Sequence, residues 1–207
     1  MPDITLEIRR IPGPGKEFEV MEEVIKALKN INRTGLVTVS AMAAHSSERD
    51  IVSGVKFESW DELEEVHDYL LSNKDFQSHQ TSIDALCLKT TIQALNILAK
   101  GDISPNTKYM RRTFLKAKRG ESGALAEALI SWHDAFPSGQ KPIVQRQSAG
   151  DIDLVRVTAG FNSLNSMMES AVEVSSNPKY SKFRDQVSKL TNAIIGWNYR
   201  VVYMNQV

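Results

Sequence analysis

The sequence predicts an α+β fold in which two fused βαββαβ units pack sheet to sheet as an eight-stranded α/β barrel. Three observations predict it: a self-similar segment, the same order of strand and helix patterns in each half, and two sheets that each need a cover. Segment 51–86 lies without gaps over 155–190, with identities at Phe57/Phe161, Ser59/Ser163, Glu65/Glu169, Ser72/Ser176, Asn73/Asn177 and Leu86/Leu190. The stripe Phe76, His79, Ile83, Leu86 returns as Tyr180, Phe183, Val187, Leu190, at the three-and-four spacing of one helix face. An arginine pair, Arg9-Arg10 or Arg111-Arg112, ends the first strand of each copy.

In the first copy ITLEIRR alternates as a half-buried strand, IPGPG supplies turn residues, and KEFEVMEEVIKALKN sets Phe18, Met21, Val24, Ile25 and Leu28 on one helical face. TGLVTVSAMA and DIVSGVKFES read as strands around the polar loop AHSSER. A long helix follows from Trp60 to about Leu86 with a break near Asn73, and LKTTIQALNIL is the last strand. The second copy repeats the order with KYMRRTFLKAK, a helix carrying Leu125, Leu129, Trp132 and Phe136, then KPIVQRQSA, DLVRVTAGF, a second broken helix and GWNYRVVYM. KGDISPNT is a short linker, so the expected units are 1–100 and 107–207. A four-stranded sheet with both helices on one side leaves its other face bare, and the twin copy is the cover at hand.

Lys plus Arg equals Asp plus Glu among the 207 residues, so no overall field draws the chain to nucleic acid or to an anionic membrane. The lone cysteine, Cys87, forms no internal disulfide and supports a cytoplasmic setting. The strand-like N-terminus and the lack of a long apolar run predict neither a signal peptide nor a membrane span.

PGPGKEFE after the first strand, FESWDELEEV at the second helix and SNKDFQSH at its break resemble the dimeric α/β-barrel superfamily, in particular NIPSNAP-like and antibiotic-biosynthesis-monooxygenase-like domains. The resemblance covers most of both copies. It implies ferredoxin-like units in tandem duplication, forming within one chain the barrel that shorter relatives build as dimers; further association into a homodimer stays open. The superfamily holds cofactor-independent oxygenases, haem-degrading and haem-dependent enzymes and proteins of unknown role, so fold does not fix activity.

Strand alternation assigns Ile4, Leu6 and Ile8 to the helices, and Thr5, Glu7 and Arg9 to the barrel interior. In the second copy it assigns Tyr109, Arg111 and Thr113 inward, with Arg156, Thr158 and Arg146. Arg9, Tyr109, Arg111, Arg146 and Arg156 are thus the candidate ligand-binding residues, because guanidinium grips carboxylate bidentately and stays charged when partly buried. The bland alternative pairs these arginines with Glu7 or aspartates. His79 sits where the second copy has Phe183, which favours a core or half-buried histidine over a ligand or a base, and His67 matches Ala171.

Haem-degrading members use an Asn, a Trp and a His. Trp60 with His67 or His79 offers two of these, but Glu7 stands where the Asn belongs, and the second copy has Leu164 for the Trp. His45 with Ser46, Ser47, Glu48 and Arg49 reads as a polar hairpin, since triad members converge from separate segments. In Trp132-His133-Asp134, neighbours diverge around a helix; His133 could still reach a ligand from the helix edge. PGPGK lacks the phosphate-loop spacing, the scattered histidines make no metal motif, and KYMRRTFLKAKR splits its charges over two faces. Met167 and Met168 read as core filling. No cofactor or metal is expected. The expected function is binding, and cofactor-independent oxidation, of a small acidic or aromatic organic molecule in the interior; the alternative is a non-catalytic scaffold for ligands or partners, and haem binding or degradation is the minority alternative.

Overall fold

The computed structural model describes residues 3–31, 33–42, 49–136 and 138–205. His45, Ser46, Ser47 and Glu48 lie outside them. The elements are β1 (Ile4–Pro12), α1 (Glu17–Lys29), β2 (Gly35–Met42), β3 (Ile51–Phe57), α2 (Trp60–Ser72), α3 (Lys74–Asp84) and β4 (Cys87–Ala99). They continue with β5 (Tyr109–Ala117), α4 (Ser122–Asp134), β6 (Ile143–Gln147), β7 (Leu154–Phe161), α5 (Leu164–Ser176), a single 3-10 turn (Pro178–Tyr180), α6 (Ser181–Leu190) and β8 (Thr191–Asn205).

The chain divides into two compact units, Met1–Leu95 with Val201–Val207, and Asn96–Arg200. Strands β4 and β8 each run out of one unit into the other. The hydrogen-bonded order, β1-β3-β2-β8-β5-β7-β6-β4, closes on itself as a barrel. Within the first unit β3 pairs antiparallel with β1 and β2; within the second, β7 pairs antiparallel with β5 and β6, and β5 with β8.

Local chemistry explains the helix boundaries. Ser59 accepts from the Glu62 amide at the start of α2, and Ser163 accepts from the Ser166 amide at the start of α5; each thereby supplies an acceptor that a helix start lacks. The break falls at Asn73, which leaves helical geometry with ψ 104° and caps α3 through the Phe76 amide. At the equivalent point Asn177 has ψ 127° and accepts from the Lys179 amide. Pro178 has no amide to donate, so helix α5 stops there. Arg184 closes the gap by donating to the carbonyls of Val174 and Asn177.

Each unit buries one sheet face under its helices. In the first, Val37 and Ile51 pack with Val20, Val24 and Leu28 of α1 and Ile83 of α3, while Ile4 and Phe57 pack with Leu63 of α2. In the second, Leu115, Val144, Val155 and Val157 pack with Leu125 and Leu129 of α4 and Val187 of α6. Met167 is fully buried and Met168 is exposed, so only the former fills a core.

The segment before β5 is fastened to the second unit. Asp102 accepts from the amides of Gly139 and Lys141 at 2.8 and 3.0 Å, and a Cβ on Gly101 would come within 2.5 Å of the Ile143 nitrogen, so only glycine fits. The Lys141 amide, and after it that of Gly139, holds the Asp102 carboxyl below its usual range. A depressed folded-state pKa contributes stability that is present above the unfolded value, about 3.9, and is lost as pH falls through the folded value. Denaturant titrations should therefore show Asp102→Asn less stable than the parent at neutral pH, with the gap closing as pH falls below about 4. A gap that stays constant with pH would refute this role.

Candidate functional site

In the first unit the faces follow the predicted alternation. Ile4, Leu6 and Ile8 lie opposite Phe57, Val55 and Ser53 on the helix side, and Thr5, Glu7 and Arg9 lie opposite Lys56, Gly54 and Val52 on the other face. Arg9 Nε donates to Asp50 Oδ2 at 2.6 Å, and Asp50 is buried and also accepts from the Ser40 hydroxyl. Arg10, of opposite parity, faces the helices, where Nη2 donates to Gln80 Oε1.

In the second unit the expected facing is corrected for Tyr109, Arg111 and Arg146. Tyr109, Arg111 and Thr113 lie opposite Phe161, Ala159 and Val157, in phase with Leu115, and Arg146 lies opposite Val155. Leu115, Val155 and Val157 belong to the helix-side core, so all three corrected residues stand on that face. Arg111 lies along Gly196 of β8, where a Cβ would meet its Nη2 at 2.9 Å. Arg156 does occupy the other face, with Phe114 and Arg112 of β5 and Trp197 and Tyr199 of β8.

The cause is a phase slip. When Phe57 is laid on Phe161, Gly54 falls on Thr158; Glu7 is opposite the former and Arg112 opposite the latter. Arg112 therefore takes the place of Glu7, and Phe114, opposite Arg156, takes the place of Arg9. Matching the two arginine pairs displaces the strand by an odd number of residues, and with a period of two every displaced side chain changes face. Leu115 and Ala117, in phase with Arg111, carried the signal that sequence reading missed.

On that second-unit face, Arg156 Nε and Nη2 both donate to Gln145 Oε1, at 3.1 and 2.8 Å. The Arg156 guanidinium is 6.0 Å from the Phe114 ring centre, and that of Arg112 is 4.5 Å from the Tyr199 ring centre. Both arginines are buried, and contact with ring faces offsets part of their desolvation.

A concavity within the second unit lies on its helix side. This cleft of about 870 Å³ is bounded by α4, β7, α5, the 3-10 turn and α6. Its wall is aromatic: Trp132 and Phe183 stack with centres 4.6 Å apart at 7°, and Phe136 meets Trp132 edge-on at 4.6 Å. Tyr180 extends the row beyond Phe136 at 6.4 Å. Trp132 stands in the last turn of α4, Phe136 follows just past its end with its amide donating to the His133 carbonyl at 3.1 Å, and Phe183 of α6 meets them. The indole Nε1 of Trp132 is buried without a hydrogen-bond partner among the described residues. At the rim Lys179 is paired with Glu173 at 2.6 Å, and this bond, then one to Tyr180, raises the Lys179 pKa. Glu169 accepts from Asn165 at 2.7 Å and makes no ion pair among the described residues.

The first unit has a smaller cleft in the matching place, about 260 Å³, between its sheet and α1, α2 and α3. Its lining is apolar apart from a few groups, among them Arg10, Gln80 and Arg33. Arg33 lies 4.9 Å from the Phe57 ring centre and 3.0 Å from Glu62, and the Glu58 amide, then Arg33, holds the Glu62 carboxyl below its usual range.

The histidines stand elsewhere. His79 Nε2 is 2.9 Å from Glu23, which lowers the Glu23 pKa. His133 is buried, with Nε2 donating to the Lys100 carbonyl at 2.8 Å, and it does not line the cleft beside it. Among the described residues neither cleft has a His, Cys or Met in its lining, so these residues do not fit a haem held by those axial ligands. Among the described residues no cluster of three His, Cys, Asp or Glu could hold a metal ion, and no helix is long and apolar enough to cross a membrane. Burial pushes the Cys87 thiol pKa up, away from nucleophilic use.

No protein-family model and no curated protein matches the chain. Solved structures do. A provisionally assigned monooxygenase of Fusobacterium nucleatum superposes with TM-score 0.74 at 7% identity, covering 99% of this chain and 94% of that one. An anthrone oxidase-like protein gives 0.70 at 12% identity, covering 99% and 92%. A provisionally assigned monooxygenase of Lactobacillus acidophilus gives 0.70 at 10%, covering 100% and 97%. The chain has the fold of these monooxygenase-like proteins. At such identities the likeness concerns fold and not chemistry.

If the stacked pair organises the cleft wall, Trp132→Ala, Phe183→Ala and the double variant should give a coupling energy of about 0.5–1.5 kcal/mol in urea unfolding. Simple additivity would show that the two rings do not support each other.

Proposed function

We propose that the protein binds a small aromatic organic molecule in the helix-side cleft of the second unit and oxidises it with dioxygen, without a tightly bound cofactor. The observation that carries this reading is the Trp132/Phe183 wall with its unpartnered indole N–H. Stacked rings accept another flat ring, and a buried donor calls for a carbonyl or hydroxyl oxygen on the ligand. About 870 Å³ lies in the upper part of the usual range for ligand sites. The likeness in fold to an anthrone oxidase-like protein supports an electron-rich, multi-ring substrate as the first to try.

Such a substrate supplies its own electrons. A ring-activated methylene reacting with dioxygen gives a carbonyl and water, so the change balances without an external reductant. The residues of this chain would hold the ring, exclude water and accept the methylene proton. Glu169, outside any described ion pair, is the carboxylate we assign to that proton, whereas Glu173 is engaged by Lys179. The matching caps and breaks at Ser59/Ser163 and Asn73/Asn177 further support a tandem duplication, with the aromatic wall developed in the second copy.

Anthrone added to the purified protein should quench tryptophan fluorescence saturably and accelerate oxygen uptake. Trp132→Phe should weaken binding by about tenfold through loss of the indole donor, and Glu169→Gln should slow uptake while binding persists. Quenching without oxygen uptake would favour the scaffold alternative.

A further inference from the structure

The smaller cleft has no part in that oxidation, yet it contains a buried cation whose donors are not all used. Arg10 is 3% exposed. Nη2 donates to Gln80 Oε1 at 2.7 Å, but Nε is buried without a hydrogen-bond partner among the described residues. The carboxylate beside it, Asp84, stands 3.6 Å from Nε with its own side chain 48% exposed, and it accepts from the Thr90 hydroxyl at 2.8 Å. Burial lowers the Arg10 pKa, with Asp84 an incomplete counterweight. A guanidinium has five N–H donors and does not escape its charge by releasing a proton. A buried charge with an unused donor is costly, and an anion placed against it recovers that cost.

Around Arg10 the cleft is lined by Leu28, Phe57, Val66, Phe76 and Ile83, which suit a hydrocarbon body. At about 260 Å³ it falls just below the usual range of ligand sites, room for one substituted ring or a short chain. We propose that the first unit binds a small hydrophobic monocarboxylate here, its carboxylate on Arg10 and its apolar body among these side chains. Asp84 beside the guanidinium disfavours a dianion such as phosphate, and the other lining arginine, Arg33, is neutralised by Glu62, so the site matches one negative charge. Gln80 orients Arg10 and can turn its amide toward the same carboxylate.

The test uses the full chain with octanoate and benzoate, each beside its neutral amide, followed by calorimetry and by the NMR signals of the Gln80 side-chain amide. Both acids should bind saturably and move those signals, and the amides should bind at least about tenfold more weakly. Gln80→Glu sets a carboxylate against Arg10 from within the fold, at Nη2; it should raise the melting temperature and weaken acid binding by about tenfold, and the thermal gain reports on the incompletely neutralised charge. Val66→Trp should block binding by filling the cleft, with Arg10 untouched. Equal affinity for acid and amide, an unchanged melting temperature and affinity in Gln80→Glu, or shifts confined to the second unit would each overturn the proposal. Trp132 fluorescence reads the other cleft, so this site and the oxidation fail or succeed separately.

Discussion

Val144, Val155 and Val157 lie against Leu125, Leu129 and Val187 in one unit, and Val37 and Ile51 against Val20, Val24 and Leu28 in the other. Each such side chain contributes about 1.5–3 kcal/mol by leaving water, several times the worth of an exposed ion pair such as Lys16–Glu19. Burial of one face of each sheet therefore dictates which parity of every strand is apolar. It dictates where the arginines go as well, because a strand cannot turn one residue without turning its neighbours.

The clefts are a consequence of how the helices cover those faces. In both units the covering helix is interrupted, at Asn73 and at Asn177, and the cleft is lined from both sides of the interruption. An asparagine that leaves helical geometry and caps the following turn makes the change of direction cheap. Two helical segments that approach the sheet separately leave space between them, which side chains then line according to their kind. The second unit lines it with Trp132, Phe136, Tyr180 and Phe183, the first with aliphatic groups, Phe57, Phe76 and a buried guanidinium.

The two clefts thus offer different chemistry on one architecture. One is walled by flat rings with an indole N–H, the other by apolar side chains around the Arg10 guanidinium. Arg9 is committed to Asp50, and Arg156 spends two donors on Gln145; both serve their own sheets through side-chain bonds.

Strand alternation, the Ser and Asn caps, the broken helices and the order of elements were legible from residue types, because each is set by neighbours within a few positions. Helix-side burial of Ile4, Leu6 and Ile8 followed for the same reason. The tertiary structure alone decided the phase of β5, where Arg111 and Arg112 differ by one position and two adjacent arginines give no hint of which is inside. It also decided that β4 and β8 each belong to both compact units, and that Trp132, Phe183 and Tyr180, from three separate segments, form one wall. Registers and clefts arise from contacts between residues far apart in the chain, and local pattern carries no record of the distance between them.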